Sequence, residues 1–260
     1  MAWQTPKTNW AAPDGVRDTD FNRIEGNTQY LYDGIADLRR HVDDSLYAIS
    51  QRTAIGNLPV GAELALYENG VLVPYIKIHE NYQNSGRNLV VRKSSYTNAT
   101  LQNDADNYYA DCKTDVFLNY DFINVLDAVT QASIAAVGIP VRALSGVATI
   151  QRKIFLLSRT EYNFSGGTTE GSINYYFTSP DRRIATFDGL PFEHWTRSIA
   201  TLGSEANYVT NTGAIGIGHP SIFRAGIRPA FTLPTDFEVA MVPPRTANTM
   251  AVAELVEGAV

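Results

Sequence analysis

Tyr175-Tyr176-Phe177-Thr178-Ser179, Asp188-Gly189, Trp195-Thr196-Arg197-Ser198 and Arg228-Pro229-Ala230-Phe231-Thr232-Leu233 punctuate one stretch, Ile173 to Leu233, whose reading decides the fold. Short apolar or aromatic runs alternate there with glycine-rich turns, the pattern of a loop-rich antiparallel β domain. Nothing in the stretch supplies a nucleophile–base pair or a metal-ligand cluster at a familiar spacing. What it supplies is aromatic and arginine side chains on a scaffold of loops. It reads as a module that packs and binds rather than one that reacts.

The composition agrees. The 260 residues are 44% hydrophobic and only 18% charged, enough for one medium domain and an appendage. Fourteen tyrosines offer contact area at low rotamer cost, as on adhesive surfaces. The net charge of −6 argues against a nucleic-acid partner, which needs a basic patch. Arg39-Arg40 and Arg182-Arg183 read as solvated faces. Cys112 is the single cysteine, so no disulfide forms within the chain, and it reads as a buried inert thiol. Met1 to Pro6 lacks the regions of a signal peptide, and no run of about 18 apolar residues would insert in a membrane. The expectation is cytoplasmic synthesis, with release by a route such as host lysis.

Working back to the N-terminus, Trp3 to Pro13 reads as an extended strap whose Trp3 and Trp10 dock on the body or on a partner. A helix follows, capped by Asp18 or Asp20. Ile24, Thr28, Leu31, Ile35, Leu38, Val42, Ser45 and Ile49 fall at alternating four- and three-residue steps, a heptad seam. The seam predicts either a helix lying on its own domain or self-association as dimer or trimer. The break at Gly56-Asn57-Leu58-Pro59 favours the second.

From Val60 the period becomes that of strands. Ala62–Tyr67 and Val71–His79 flank Glu68-Asn69-Gly70, a hairpin signal, and Pro74 predicts an edge or a bulge. Asn88–Tyr96 predicts a third strand, with His79 a surface or core histidine. Asp104, Asp106, Asp111 and Asp115 fail the calcium-loop pattern. A helix is expected from Phe117 to Val129 or on to Ala136, stopped by Gly138-Ile139-Pro140. Strands return over Val141–Leu157, and Lys153 to Ser158 reads as a central, doubly covered strand. The Ala251–Val260 tail is too short for an isolated helix.

For catalysis the sequence offers neither a Gly-x-Ser-x-Gly elbow nor a His-x-x-x-His pair. Glu193 and His194, as strand neighbours, point to opposite faces. Arg197 and Arg228 predict buried salt bridges or bonds to loop carbonyls, and Asp181-Arg182-Arg183 an ion-pair corner. A glycosidase's carboxylates need no sequence proximity, so that chemistry stays open without positive support.

Two resemblances add to this. Trp3-Gln4-Thr5-Pro6-Lys7-Thr8-Asn9-Trp10, with Asp20-Phe21-Asn22-Arg23-Ile24-Glu25-Gly26-Asn27 and Leu31, resembles the opening of tail, baseplate and fibre proteins of bacteriophages and prophages of Gram-positive bacteria. Residues from about 58 to 235 resemble an uncharacterised domain of phage and bacterial surface proteins. It is marked by Phe155-Leu156-Leu157-Ser158, Trp195-Thr196-Arg197-Ser198 and Arg228-Pro229-Ala230. That domain looks similar to the C-type-lectin-like and sulfatase-modifying fold. Its usual doubled aromatic stands here as His194-Trp195, and no Glu-Pro-Asn calcium motif is present, so calcium-dependent sugar binding is not implied.

The expected fold is α+β: a heptad-patterned helix followed by a loop-rich, mainly antiparallel, C-type-lectin-like β domain with one or two helices. The expected divisions are 1–57 (strap and helix), 58–240 (domain) and 241–260 (tail). The expected role is that of a non-enzymatic virion adhesin with no cofactor and no metal. Its partners are other virion proteins, further copies of itself and a host-surface glycan or protein. Ile24, Leu31, Ile35, Leu38, Val42 and Ile49 would associate copies, and Trp3 and Trp10 would attach them. The loops Ser158–Ile173 and Thr201–Phe223 would touch the host through Tyr162, Tyr208, His219 and Phe223, with Trp195, Arg197 and Arg228 structural. Rival readings are a capsid-attached decoration or head fibre, and a cell-wall glycan hydrolase.

Overall fold

The computed structural model describes residues 18–50, 52–101, 108–143, 146–166, 169–200 and 205–241; within the first span, side chains are described for 22–40, 42 and 43. The chain divides into two compact units between Ser50 and Gln51. Trp3, Trp10, Asp104, Asp106 and the tail from 242 lie outside the described residues, as does the side chain of Ile49.

The first unit is the helix α1 (Asp18–Ser50), 33 residues long. Its seam side chains stand in solvent: Ile24 is 54% exposed, Leu31 52%, Ile35 66%, Leu38 64% and Val42 49%. On its polar side Gln29 Nε2 donates to Asp33 Oδ1 at 2.7 Å and Arg40 pairs with Asp37 at 2.9 Å. Exposed pairs three or four residues apart each add about 0.2–0.5 kcal/mol of helix stability. Thr28, a polar member of the seam, turns its hydroxyl back onto the Ile24 carbonyl at 2.9 Å.

Strands dominate the second unit. In chain order they begin with β1 (Arg52–Ala54), β2 (Glu63–Glu68), β3 (Val71–His79), β4 (Arg87–Arg92) and β5 (Thr97–Ala99). Helices α2 (Lys113–Tyr120) and α3 (Ala128–Ser133) precede β6 (Val137–Ala143), β7 (Gly146–Arg152) and β8 (Ile154–Phe155). Helix α4 (Pro180–Arg183), β9 (Ala185–Phe187), β10 (Leu190–Phe192) and β11 (His194–Ile199) follow. The described chain ends with β12 (Ala206–Val209), β13 (Ile215–Gly218), β14 (Ala225–Ile227), β15 (Ala230–Pro234) and β16 (Glu238–Met241).

Among the described residues these strands build a seven-stranded antiparallel sheet, β1-β16-β2-β3-β4-β15-β8. A five-stranded sheet, β13-β12-β11-β14-β5, accompanies it, and in this one β11 and β14 run parallel. Both sheets feed one core that includes Tyr75, Val90 and Phe231 from the larger and Trp195, Val209 and Ile227 from the smaller. Burying each such side chain contributes about 1.5–3 kcal/mol. The class is α+β. No helix among the described residues is long and apolar enough to cross a membrane.

The hairpin expected at Asn69-Gly70 joins β2 to β3, with φ of 48° and 79° at the two turn residues. Both lie in the left-handed region that this tight turn needs. Several expectations are corrected. Of the edge or bulge expected from Pro74 the edge is overturned, because β3 lies between β2 and β4, while β3 does shift register between Lys77 and His79. Pro74 is tolerated because the β4 ladder stops one residue short, at Tyr75↔Arg92. The break at 56–59 belongs to the second unit: β1 pairs with β16, and the buried Lys77 ammonium donates to the Ile55 and Leu58 carbonyls at 3.1 and 2.5 Å.

The continuous helix over 117–136 is divided. Asp127 caps α3 by accepting from the Val129 and Thr130 N–H groups, and the segment before it pairs with the hairpin through Asn69 N–H to Val125 O at 2.7 Å. Lys153 to Ser158 is not a central strand. Only Ile154–Phe155 are in the ladder, at the sheet's edge, and the buried residues after them bond to Tyr109, Glu161 and Arg197 instead. Tyr175 to Ser179 forms no strand, and 205–223 carries β12 and β13 where a loop was expected. The corner at 181–183 is not an ion pair: Arg182 and Arg183 donate to backbone carbonyls.

Candidate functional site

The site is framed by the Trp-x-Arg-Ser strand β11, each of whose side chains fastens a different segment. Trp195 Nε1 donates to Ala99 O of β5 at 3.0 Å, and Thr196 Oγ1 donates to Asn207 O of β12 at 2.9 Å. Ser198 Oγ accepts the Arg159 N–H at 2.9 Å. Arg197, fully buried, donates to Pro140 O, Leu156 O and Glu170 O at 3.0, 2.8 and 3.3 Å. Its two terminal nitrogens also grip Glu161 at 2.6 and 2.8 Å. Burial pulls this guanidinium's pKa down, but Glu161, Tyr82 and Glu170 together outweigh burial and hold it above its ordinary value. The charge is permanent.

Glu161 reaches that position because Ser158-Arg159-Thr160-Glu161 closes a reciprocal capping turn. Ser158 N–H donates to Glu161 Oε2 at 2.9 Å, and Glu161 N–H donates to Ser158 Oγ at 3.1 Å. The Tyr82 hydroxyl donates to Glu161 Oε1 at 2.6 Å. Burial, then the Glu161 charge, raises the Tyr82 phenol above its ordinary pKa, so it remains a donor. Both carboxylate oxygens are thereby committed. This carboxylate holds the site together.

Against this frame lies a cleft of about 520 Å3, bounded by Thr160, Phe164, Ser172, Ile173 and Tyr175. It shares His79 and Ser172 with a smaller pocket of about 120 Å3, whose wall includes Tyr82, Glu161 and Asn174. The rim is apolar: Tyr175 is 81% exposed and Ile173 47%. The pocket's lip is the segment after β3, where Asn81, Gln83 and Asn84 all adopt φ between 50° and 57°. Left-handed backbone at non-glycine residues costs of order 1 kcal/mol or more each and clusters at ligand clamps. Here it is held by Asn81 Oδ1, which accepts the Gly86 N–H at 2.7 Å.

The structure distributes the four expected contact residues unevenly. Tyr162 is a correction: it is fully buried, with its hydroxyl 3.0 Å from His194 Nε2, and no partner chain can reach it. Tyr208 and Phe223 are half-buried and stack at 4.6 Å, both against Trp195. His219, also half-buried, bonds within its own turn to Ser221. These three lie on the β12–β13 side and do not line the cleft. Arg228 is buried and bonds Arg92 O at 2.8 Å and Arg183 O at 3.2 Å.

Cys112 caps α2 by accepting the Asp115 N–H, and burial pushes its thiol up to about 12. Asp111 and Asp115 are held by Arg152 at 2.7 and 2.8 Å. Among the described residues no group of three or more His, Cys, Asp or Glu stands where it could hold a metal ion. The sequence singles out one wall of the cleft, the loop Ser158–Ile173, but not the other, His79 to Asn84. Its signal was present as Asn81-Tyr82-Gln83-Asn84-Ser85-Gly86, a run rich in residues that tolerate left-handed backbone.

Fold and site together define an α+β domain that carries a loop-walled cleft on a rigid arginine-centred frame. The chain belongs to the DUF6273 family, a domain of unknown function, which it matches over residues 85–235. No curated protein and no solved structure matches it. The matched span contains the Phe-Leu-Leu-Ser, Trp-x-Arg-Ser and Arg-Pro-Ala elements, whose conspicuous side chains serve the frame.

Proposed function

We propose that the chain is a non-enzymatic structural protein of a tailed-bacteriophage virion, an adhesin of the tail-tip, baseplate or fibre kind. The observation that carries this reading is the cleft, apolar at its rim and polar at its floor, whose buried carboxylate is already spent on Arg197 and Tyr82. Such a surface is suited to hold a ligand, because its polar groups orient while its aromatic rim supplies contact area. The exposed seam of α1 supports association of copies, and the opening sequence supports attachment to other virion proteins. The domain reads as a variant of the C-type-lectin-like architecture, in which twisted antiparallel strands present long loops.

The test is decoration of Gram-positive cells by the labelled full chain, together with antibody labelling of the phage particle. Saturable decoration, weakened by Tyr175→Ala, and label on the tail are expected. Label on the head with no decoration of any cell would replace this reading with a capsid decoration. Turnover of purified cell wall would replace it with a hydrolase.

A further inference from the structure

Among the described residues β1, β8, β5 and β13 end the two large sheets, and three of these edges are guarded. Asn119 covers β8, its amide donating to Ile154 O at 2.9 Å and accepting the Ile154 N–H at 3.2 Å. On β5, Arg224 donates to Asn98 O at 2.5 Å. β1 is three residues long and begins with Arg52, a charge of the kind that blunts an edge. The fourth edge, β13, is Ile215-Gly216-Ile217-Gly218, without charge or proline, and Ile217 is 55% exposed.

The ladder fixes which backbone groups of β13 face outward. Thr210 N–H donates to Ala214 O at 2.8 Å, which makes 210 and 214 a hydrogen-bonded pair at the head of the β12–β13 hairpin. Bonded and unbonded pairs alternate along an antiparallel ladder. Tyr208↔Gly216 and Ala206↔Gly218 are therefore bonded, while Val209↔Ile215 and Asn207↔Ile217 are not. The N–H and C=O groups of Ile215 and Ile217 point away from β12, two donors and two acceptors along the edge. The side chains are sorted as well. Gly216 and Gly218 lie against rings, because a Cβ on them would stand 2.4 Å from Tyr208 and 2.9 Å from Phe223 respectively. Ile215 and Ile217 take the opposite face.

We propose that β13 is a surface for a second copy of this chain: two β13 strands pair antiparallel about Gly216 and join their sheets into one. Residues directly opposite in a sheet share a face, so isoleucine must meet isoleucine and glycine meet glycine. Centring the register on Gly216 sets Ile215 of each copy opposite Ile217 of the other. Every outward N–H then donates to an outward carbonyl of the other copy, and none is left over. The strand is its own complement, which selects a second copy over an unrelated peptide. Gly216 faces its counterpart, and the Tyr208 rings approach each other over that glycine floor. So short an edge holds copies together only when another contact keeps them close. The pairing therefore rests on the association of copies read from α1.

The experiment compares full chains carrying Ile215→Cys, Ile217→Cys, or one of each in mixed pairs made by co-expression, all under air oxidation. Cys112 stays out of the reaction, buried and with its thiol pKa pushed up by that burial. Unlike positions stand directly opposite, whereas like positions are diagonal neighbours beyond disulfide reach. The mixed pairs should therefore give at least tenfold more disulfide-linked dimer than either variant alone. In the unsubstituted chain the Ile215 and Ile217 amides should exchange hydrogen at least tenfold more slowly than in the Ile35→Asp, Leu38→Asp chain. Those of Gly216 and Gly218, bonded to β12, should stay protected in both. A chain that sediments as a dimer yet gives no excess disulfide in mixed pairs would overturn the β13 pairing and leave the α1 seam intact. Fast exchange at Ile215 and Ile217 in that dimer would do the same. Excess disulfide from chains that sediment as monomers would uphold the edge and overturn the seam. Monomers without excess disulfide would overturn both.

Discussion

Arg197 donates all it has. Its five N–H groups meet Pro140 O, Leu156 O, Glu170 O and both oxygens of Glu161. A lysine has three donors on a point charge and cannot reproduce this fork. Arg197→Lys keeps the charge but leaves two of these five bonds unmade, and should destabilise the chain by about 2–6 kcal/mol, at about 1–3 kcal/mol for each buried group left unpaired. Urea unfolding with an unchanged m-value would show it. His194 makes a second residue-scale prediction. Burial, then the Arg228 charge, lowers its pKa well below the ordinary value, so the native state keeps it neutral. The unfolded chain takes up a proton near pH 6.5. Below that pH the unfolded state binds the extra proton, and stability falls with a limiting slope of about 1.4 kcal/mol per pH unit. Asp115 and Glu170 act oppositely. Burial raises their pKa values, and their contribution is lost as pH rises through them. The difference in unfolding free energy between wild type and His194→Gln, followed from pH 7 to 5, isolates the histidine, and a flat difference would contradict the assignment.

At the scale of elements, two glycines separate backbone conformation from crowding. Gly70 (φ +79°) and Gly213 (φ +76°) share the left-handed conformation, but a Cβ on Gly70 meets open space while one on Gly213 would overlap the Pro180 carbonyl. Gly70→Ala should cost about 1 kcal/mol, the conformational term alone. Gly213→Ala should cost about 1–3 kcal/mol more, as overpacking does; thermal unfolding of the pair would show whether the clash is real. The same contrast explains what the sequence disclosed. Asn69-Gly70 was legible because a two-residue turn is decided by its own residues. The α2–α3 region was not, because an apolar pattern suited to one helix is interrupted by a bond from Asn69 N–H to Val125 O. Phe155-Leu156-Leu157-Ser158 was readable as buried but not as peripheral to the sheet. The Leu156 N–H goes to the Tyr109 hydroxyl at 3.0 Å, a partner no local pattern reveals. The cleft suffered most from this. His79 and Asn174 are 95 positions apart in the numbering and meet only when the sheets close.

For the whole molecule, the uncovered seam of α1 is the feature that a single chain leaves unexplained. Five apolar side chains between Ile24 and Val42 are about half exposed or more, whereas a helix of this pattern ordinarily buries that stripe. Along the heptad, Thr28, Ile35 and Val42 occupy one core position and Ile24, Leu31 and Leu38 the other. β-Branched residues at the first with leucine at the second favour a parallel pair. Sedimentation of the full chain should therefore give a dimer, and Ile35→Asp with Leu38→Asp should give a monomer whose second unit melts unchanged. If copies pair in this way, two clefts would act together on a surface that repeats a ligand. Linking sites in this way strengthens retention by about 10²–10⁴ without any new contact. The doubly substituted monomer should consequently lose most of the full chain's retention on cells. If retention stays high in the monomer, one cleft suffices for retention and the seam serves association with a different protein instead.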